Sequence, residues 1–460
     1  MKLTIEQSKL AEILETAYLA ISPKPTDPIL GNILLIADED GIVSATGTNL
    51  NLTIHTTTTA NVEISGQVAL PAKLLTDTVS NVKGEITLEV ENQACIITHN
   101  SGKCRLIGGK SDEFPTLPKG ENPTEINLSA KKLQAALEGT LYCASSDETK
   151  LVLTGVNFKI DTNKWQAAST NSHKLALVTG TLDSEYSDPI NFTVPGKSLG
   201  ELNKILSQSA DTSVCNILLS DRTIEFSLPN TKLISRLLEG EYPKINSLIP
   251  RSFEYEFTLE RKGFESALKR VSYLAERKQK VVKILWELEA TQATLYTEAT
   301  DIGDAVDSVL MKPATSNSEN ISIGLNIDYL IEGLKHISTD EIVVRCNKPT
   351  QPVIVCPMGG LLNQLYLVMP VEIKQGFEKV NSQNQSTKTE VSTQSEPGTE
   401  EVTEVSTQTE SSTEEVANVA QATDDSETPQ IETPSVVTKD TTKGKSTSRS
   451  PRTKKEAATA

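Results

Sequence analysis

KLTIEQSKLAEILETA, residues 2–17, changes its apolar period in mid-course. Lys2-Leu3-Thr4-Ile5 alternates as a half-buried strand does. Leu10, Ile13, Leu14 and Ala17 then fall at i, i+3, i+4 and i+7, the stripe of an amphipathic helix. The same strand-then-helix reading returns twice. Ile126-Asn127-Leu128 precedes Leu133, Ala136 and Leu137, and Phe257-Thr258-Leu259 precedes Phe264, Ala267, Leu268 and Val271. From Leu10 to Leu133 is 123 residues, and from Leu133 to Phe264 is 131.

A second landmark repeats at nearly the same spacing. Leu70-Pro71-Ala72-Lys73 opens a helix carrying Leu75, Val79 and Val82. Val194-Pro195-Gly196-Lys197 opens one carrying Leu199, Leu202 and Leu206, and Leu325-Asn326-Ile327-Asp328 opens a third with Leu330, Leu334 and Ile337. These offsets are 124 and 131. The first two units also close alike, on Glu113-Phe114-Pro115 and Glu241-Tyr242-Pro243. Between the helices lie short alternating runs bounded by Gly, Asp and Asn: 32–36, 42–45, 50–55, 86–90 and 94–98 in the first unit. Each unit therefore reads as about eight antiparallel strands and two helices covering one side of a sheet, an α+β domain. A period near 125 is too long for a solenoid repeat of roughly 20–50 residues, so the pattern implies a triplicated domain. The boundaries are placed at 1–120, 121–252 and 253–375.

The remainder, 376–460, has a different composition. Phe377 is the last aromatic residue, residues 389–438 hold twelve acids and no Lys or Arg, and the end is basic. Such a segment buries too little apolar surface to offset its ordering entropy, and it is expected to be a disordered tail, acidic and then basic. The chain of 460 residues has a net charge of −17; from Lys374 onward there are 15 acids and 10 bases, which leaves −12 to the body.

Several function classes are excluded at this point. The six cysteines (95, 104, 143, 215, 346, 356) form no C-x-x-C pair, and the four histidines stand at no metal-ligand spacing. That argues against zinc ribbons, disulfide scaffolds and His-rich metal sites, and no cofactor is expected. The N-terminus lacks a signal-peptide core, and no apolar run approaches the ~18 residues of a membrane span, so a cytoplasmic protein with no membrane partner is expected. Gly108-Gly109-Lys110-Ser111 mimics a phosphate loop, but Cys104 stands where the pattern needs glycine. Ser172-His173 has no nucleophile elbow around it, and Asp147-Glu148 sits in a polar linker, 145–150. No catalytic set assembles, and a polymerase would need clustered metal-binding carboxylates. One charge feature stands out. The stretch 261–280 holds Arg261, Lys262, Lys269, Arg270, Arg277, Lys278 and Lys280 against Glu265 and Glu276, within an acidic chain. Concentrated cations on particular helices suit a polyanion held in one place and repelled elsewhere. A solvated helix face is the simpler reading of the same residues.

The segments 24–35 (KPTDPILGNILL), 46–50 (TGTNL), 70–73 (LPAK), 168–176 (ASTNSHKLA), 194–197 (VPGK), 323–326 (IGLN) and 366–370 (YLVMP) resemble, in order and spacing, the bacterial β sliding clamp family. Its members are processivity subunits of the replicative DNA polymerase III. The resemblance implies antiparallel sheets outside and two helices per domain lining a central hole. Two chains would close head to tail into a ring dimer around duplex DNA. It further implies DNA contacts from Lys24, Lys73, Lys150 and Lys197. A client-peptide pocket would be formed by Leu153, Thr170, Leu175, Pro243, Leu248, Pro352, Leu367, Met369 and Pro370, with His173 and Lys174 at its rim. Its ligands would be peptides of the Gln-Leu-x-Leu-Phe type from the polymerase III catalytic subunit, the clamp loader, other polymerases and repair proteins. A ring joint would bring Arg105 and Leu106 to Tyr273, Leu274, Asp304 and Asp307 of the other chain. Two departures stand against the family pattern: Leu151 and Val152 replace two aromatics beside Lys150, and the tail continues for 87 residues past Ile373. That tail is expected to tune client or loader access by charge. The competing reading is a triplicated interaction scaffold that never encloses DNA.

Overall fold

The computed structural model describes residues 1–373 apart from 92, 119, 209–212, 277–279, 300 and 315–318. The expected tail, and Arg277 and Lys278, lie outside the described residues. The first domain runs β1 (Lys2–Glu6), α1 (Gln7–Tyr18), β2 (Asn32–Ala37), β3 (Ile42–Thr48), β4 (Leu52–Thr59), β5 (Asn61–Ile64), β6 (Gly66–Pro71), α2 (Ala72–Ser80), β7 (Glu85–Glu91), β8 (Ala94–His99) and β9 (Gly102–Ile107). The second contains β10 (Thr124–Ser129), α3 (Ala130–Glu138), β11 (Gly155–Thr170), β12 (Lys174–Pro195), α4 (Gly196–Ser207), β13 (Val214–Leu219), β14 (Thr223–Leu228) and β15 (Thr231–Arg236). The third contains β16 (Tyr255–Glu260), α5 (Arg261–Ser272), β17 (Val281–Glu287), β18 (Gln292–Ala299), β19 (Gly303–Pro313), β20 (Ile321–Asn326), α6 (Ile327–Lys335), β21 (Glu341–Cys346), β22 (Val353–Pro357) and β23 (Asn363–Val368).

The three domains are alike. Each opens strand-then-helix, and each buries the helix positions that the apolar stripe marks: Leu10, Ile13, Leu14 and Ala17 in α1; Leu133, Ala136 and Leu137 in α3; Phe264, Ala267, Leu268 and Val271 in α5. The two helices of a domain pack on each other and, with the facing strands, enclose one apolar core per domain. Helix starts are fixed locally. The Glu260 carboxylate accepts Lys262 N–H and Gly263 N–H at the start of α5, and Asn326 Oδ1 accepts Tyr329 N–H at the start of α6.

Strand number differs from eight in two domains. The first has nine among the described residues, and the second has six, because β11 and β12 each run through two strand positions. Register shifts between Ile160 and Lys164, with Thr162 at φ 57°, absorb the bend without ending the ladder.

The sheets do not stop at domain borders. β15 of the second domain pairs antiparallel with β4 of the first, Leu233 opposite Ile54. β23 of the third pairs in the same way with β12 of the second, Tyr366 opposite Ala176. Eight- and ten-stranded sheets result, and only β5-β1-β7-β8-β9 stays within one domain. The turn feeding each junction strand is the same. Asn49 Oδ1 accepts Asn51 and Leu52 N–H, Asn171 Oδ1 accepts His173 and Lys174 N–H, and Leu50 and Ser172 both sit at positive φ, 71° and 78°. No described helix is long and apolar enough to cross a membrane.

Two glycines predict opposite outcomes. A Cβ on Gly47 in β3 would lie 2.1 Å from the Ala17 carbonyl oxygen at the end of α1, whereas Gly200 inside α4 has open space. Gly47→Ala should destabilise by about 1–3 kcal/mol, since backbone must move. Gly200→Ala should stabilise by about 0.5–1 kcal/mol through helix propensity. Denaturant unfolding of the two variants checks the pair of signs.

Candidate functional site

The β12–β23 junction sets Leu175 opposite Leu367 and Lys174 opposite Val368. Successive strand residues point to opposite faces. On the face away from the helices, Leu175, Leu177, Leu367, Ala168, Ile245 and Ile354 form a small apolar cluster separate from the three domain cores. Tyr242, Ile249 and Phe253 lean on it, and Met369 and Leu248 stand exposed nearby in sequence. Thr170 N–H donates to Tyr242 Oη at 3.1 Å, and Thr170 Oγ1 donates to the Lys174 carbonyl at 2.7 Å. Met369 N–H donates to the His173 carbonyl at 2.9 Å, which ties the end of β23 to the turn. The arrangement is an apolar patch between two domains, edged by backbone groups and exposed side chains, suited to an extended peptide with Leu or Phe anchors.

Of the residues expected at this pocket, the structure brings Leu175 and Leu367 together directly, and Thr170, His173 and Met369 by the bonds above. Pro243 is exposed beside Tyr242; Pro352 and Pro370 are half-buried, flanking Val353 and Met369. Leu153 is buried in a short 3-10 helix, residues 148–154, but joins none of the apolar clusters.

Lys174 does not lie at the rim. Its strand alternation turns it with Ala176 toward the helices, and its side chain is 6% exposed. Nζ donates to the Tyr142 carbonyl at 2.7 Å and forms an ion pair with Glu332 of α6. The rings of Tyr142 and Tyr329 flank it, with centroids 5.6 and 5.5 Å away. Burial pushes the phenols of Tyr142 and Tyr366 up and the neighbouring His336 imidazole down, so these groups stay neutral around the cation. His173 remains exposed, with its ring 6.3 Å from that of Tyr329. Tyr142, Tyr329 and Glu332 were not singled out by the sequence, and Tyr242 was marked only as part of a repeated closing motif; the Thr-Asn pair recurring at 48–49 and 170–171 is the local signal for this corner.

The expected DNA-contacting cations are all exposed. Lys24 lies in the loop after α1, Lys73 and Lys197 are each the second residue of their helix, and Lys150 breaks the 3-10 helix with φ −111°, ψ 62°. Beside it, Leu151 is exposed where an aromatic was missing from the pattern. The third domain has Asp328 where the others have Lys73 and Lys197, and Asp328 pairs with Lys280 at 2.8 Å. The stretch 261–280 is less available than its charge count implies. Arg261 and Lys269 pair with Glu265, Lys262 with Asp340, and Arg270 with Asp307. The cationic excess belongs to the helices as a set. The six together hold eleven Lys and Arg against eight Asp and Glu, in a chain at −17.

Arg105 and Leu106 lie on β9, Tyr273 and Leu274 follow α5, and Asp304 and Asp307 lie on β19. Asp307, expected to meet the other chain, is engaged within its own. The Arg270 guanidinium bonds it and holds its carboxyl below the usual range. Its position on the helix-facing side of β19 explains this.

Models of the DNA polymerase III beta subunit match most of the described residues: the N-terminal domain at 1–118, the central domain at 127–244 and the C-terminal domain at 246–372. The beta sliding clamp of Synechocystis is 37% identical over 393 residues, covering 81% of this chain and all of that protein. That of Bacillus subtilis is 30% identical over 378 residues, covering 80% of this chain and 99% of its own length. The crystal structure of the B. subtilis DNA polymerase sliding clamp superposes with a TM-score of 0.76 at 29% identity, over 81% of this chain and 99% of that one.

The buried ion pair predicts an asymmetry. Glu332→Gln leaves the Lys174 ammonium buried without its counterion and should cost about 2–4 kcal/mol. Lys174→Met leaves a half-exposed carboxylate that water can solvate and should cost less, about 0–2 kcal/mol. Equilibrium unfolding of the two single variants gives the order.

Proposed function

Because this chain belongs to the bacterial DNA polymerase III β sliding clamp family, a non-catalytic processivity factor of DNA replication, we propose that two copies close head to tail around duplex DNA. The observation that carries this is the pair of strand edges left over. At both internal junctions a β9-type strand pairs with a β4-type strand: β15 with β4, and β23 with β12. Among the described residues two such edges have no partner, β9 of the first domain and the outer edge of β19 at 303–310. An unpaired edge is a template for another strand. One chain's β9 on another's β19 repeats the internal joint, and a heterologous contact that closes after two copies makes a ring.

Repetition also supplies the register. Ile54 and Ala176 are counterparts, because they face Gly47 and Ser169 across hairpins of equal length; Ala305, which faces Thr297 and likewise packs against a domain core, is assigned as the third. Leu233, Tyr366 and Cys104 are counterparts, because they face Phe226, Val355 and Ile97. Cys104 then stands opposite Ala305, and Arg105 opposite Asp304. The exposed side chains at the two edges suit burial: Ile107 is 70% exposed, and Tyr273 and Leu310 are each 80% exposed.

The ring places twelve helices around the opening, and their cationic excess faces the phosphates. Lys24, Lys73, Lys150 and Lys197 supply non-specific contacts. Lys197 pairs with Glu148 at 3.1 Å, but both side chains are largely exposed, and a pair of this kind is weak enough to yield to a phosphate. The outer patch at Leu175 and Leu367 takes peptide anchors from the polymerase III catalytic subunit, the clamp loader, other polymerases and repair proteins.

Arg105→Glu opposes two acids at the joint and should convert a particle of twice the 49.9 kDa chain mass into monomer at micromolar concentration. Adding Asp304→Arg restores the attraction and should restore the dimer. Native mass measurement decides; an Arg105→Glu protein that stays dimeric, or a double variant no better than the single, contradicts the register. At the pocket, Leu248→Ala with Met369→Ala removes two exposed apolar side chains. Affinity for an anchor peptide should fall about tenfold or more, ~1.4 kcal/mol per decade, with the dimer mass unchanged.

A further inference from the structure

The apolar patch continues into something different along the same face. From the Leu175–Leu367 pair, the outward residues of β12 run Leu177, Thr179 and Thr181, those of β23 run Leu365 and Asn363, and those of β11 run Gln166 and Lys164. Apolar side chains give way to polar ones and then to cations. A cleft of about 420 Å³ lies along the first part, walled by Leu177, Cys356, Leu362 and Leu365. It shares Thr179, Gly360 and Asn363 with a larger cleft of about 930 Å³, which Lys132, Lys159 and Lys164 line against a single acid, Asp161. None of these three lysines takes part in an ion pair among the described residues, whereas Arg345, on the wall of the smaller cleft, is held by Glu256 at 2.7 Å. The larger cleft is thus a local reversal of sign on a chain whose net charge is −17.

We propose that this groove extends the client pocket and takes an acidic, extended segment of a client, four to six residues beyond its apolar anchors. Strand geometry sets that distance: Thr179 and Thr181 lie about 13–20 Å along β12 from Leu175. Charge complementarity selects the occupant, since an acidic peptide is repelled by most of this surface and attracted here. The inference rests on the pocket assigned above. Because Lys159 and Lys164 are solvent-accessible, the attraction is salt-dependent over a Debye length of about 10 Å at ~0.1 M.

The test uses the full chain and five fluorescent peptides: a Gln-Leu-Ser-Leu-Phe anchor alone, two versions with three glutamates placed four to six residues from the anchor (before it in one and after it in the other), and the same two extensions with lysines. One glutamate version should bind about three- to tenfold more tightly than the anchor alone at low salt, and the lysine versions no better. Lys159→Ala with Lys164→Ala should abolish the gain and leave the anchor-only affinity unchanged. Equal affinities for all peptides, or a gain that survives the double substitution, overturn the extension and leave the pocket standing. An anchor-only peptide that fails to bind overturns both. Oligothymidylate that binds wild type and not the double variant, with no glutamate gain, assigns the cleft to nucleic acid and overturns the proposal.

Discussion

One antiparallel pairing, a domain's last strand against a β4-type strand of the domain before it, organises this molecule. It occurs twice within the chain, at β15–β4 and β23–β12, and fuses what would be separate α+β sandwiches into sheets of eight and ten strands. Backbone bonds define the domain-to-domain geometry, so it is reproduced wherever the pairing is reproduced. Among the described residues the same constraint leaves one unmatched strand edge in the first domain and one in the third, and the proposed function follows from what satisfies them.

The junction also explains where the proposed pocket lies. Alternation along β12 sends Lys174 and Ala176 to the helix side and Leu175 and Leu177 to the outer side. The inward half locks the second domain to α6 through Lys174 and Glu332, and the outward half forms the apolar patch. The structural tie and the proposed recognition patch share one strand, on its opposite faces. Charge is divided in a related way: the six helices together carry a small cationic excess, while the acidic excess lies on the rest of the chain.

Much of this was legible in the sequence, and for identifiable reasons. The 3.6-residue stripe of Leu10, Ile13, Leu14 and Ala17, and its two recurrences, fixed helices, spacing and triplication, because periodic burial leaves a local signature. Strand ends such as Leu52 against the expected Leu50 shifted where an Asx turn, with Leu50 at positive φ, begins the strand later. The burial of Lys174 was not legible. Its partners come from Tyr142, Tyr329 and Glu332, up to 158 residues away, and a lysine next to a histidine in a polar turn reads as exposed. Likewise the cations of 261–280 looked available, since their counterions Asp307, Asp328 and Asp340 lie in later segments. The resemblance to clamps supplied the pocket and joint residues; local patterning alone marks most of them only as core.

The central claim is that closure by strand pairing, rather than tight binding, keeps the protein on DNA. The direct measurement is retention of clamp-loader-deposited protein on a covalently closed circular duplex, in salt high enough to dissolve phosphate contacts, before and after the circle is cut once. The account predicts that protein remains on the circle and leaves when an end appears. Loss at the same rate from circular and linear duplex would contradict it.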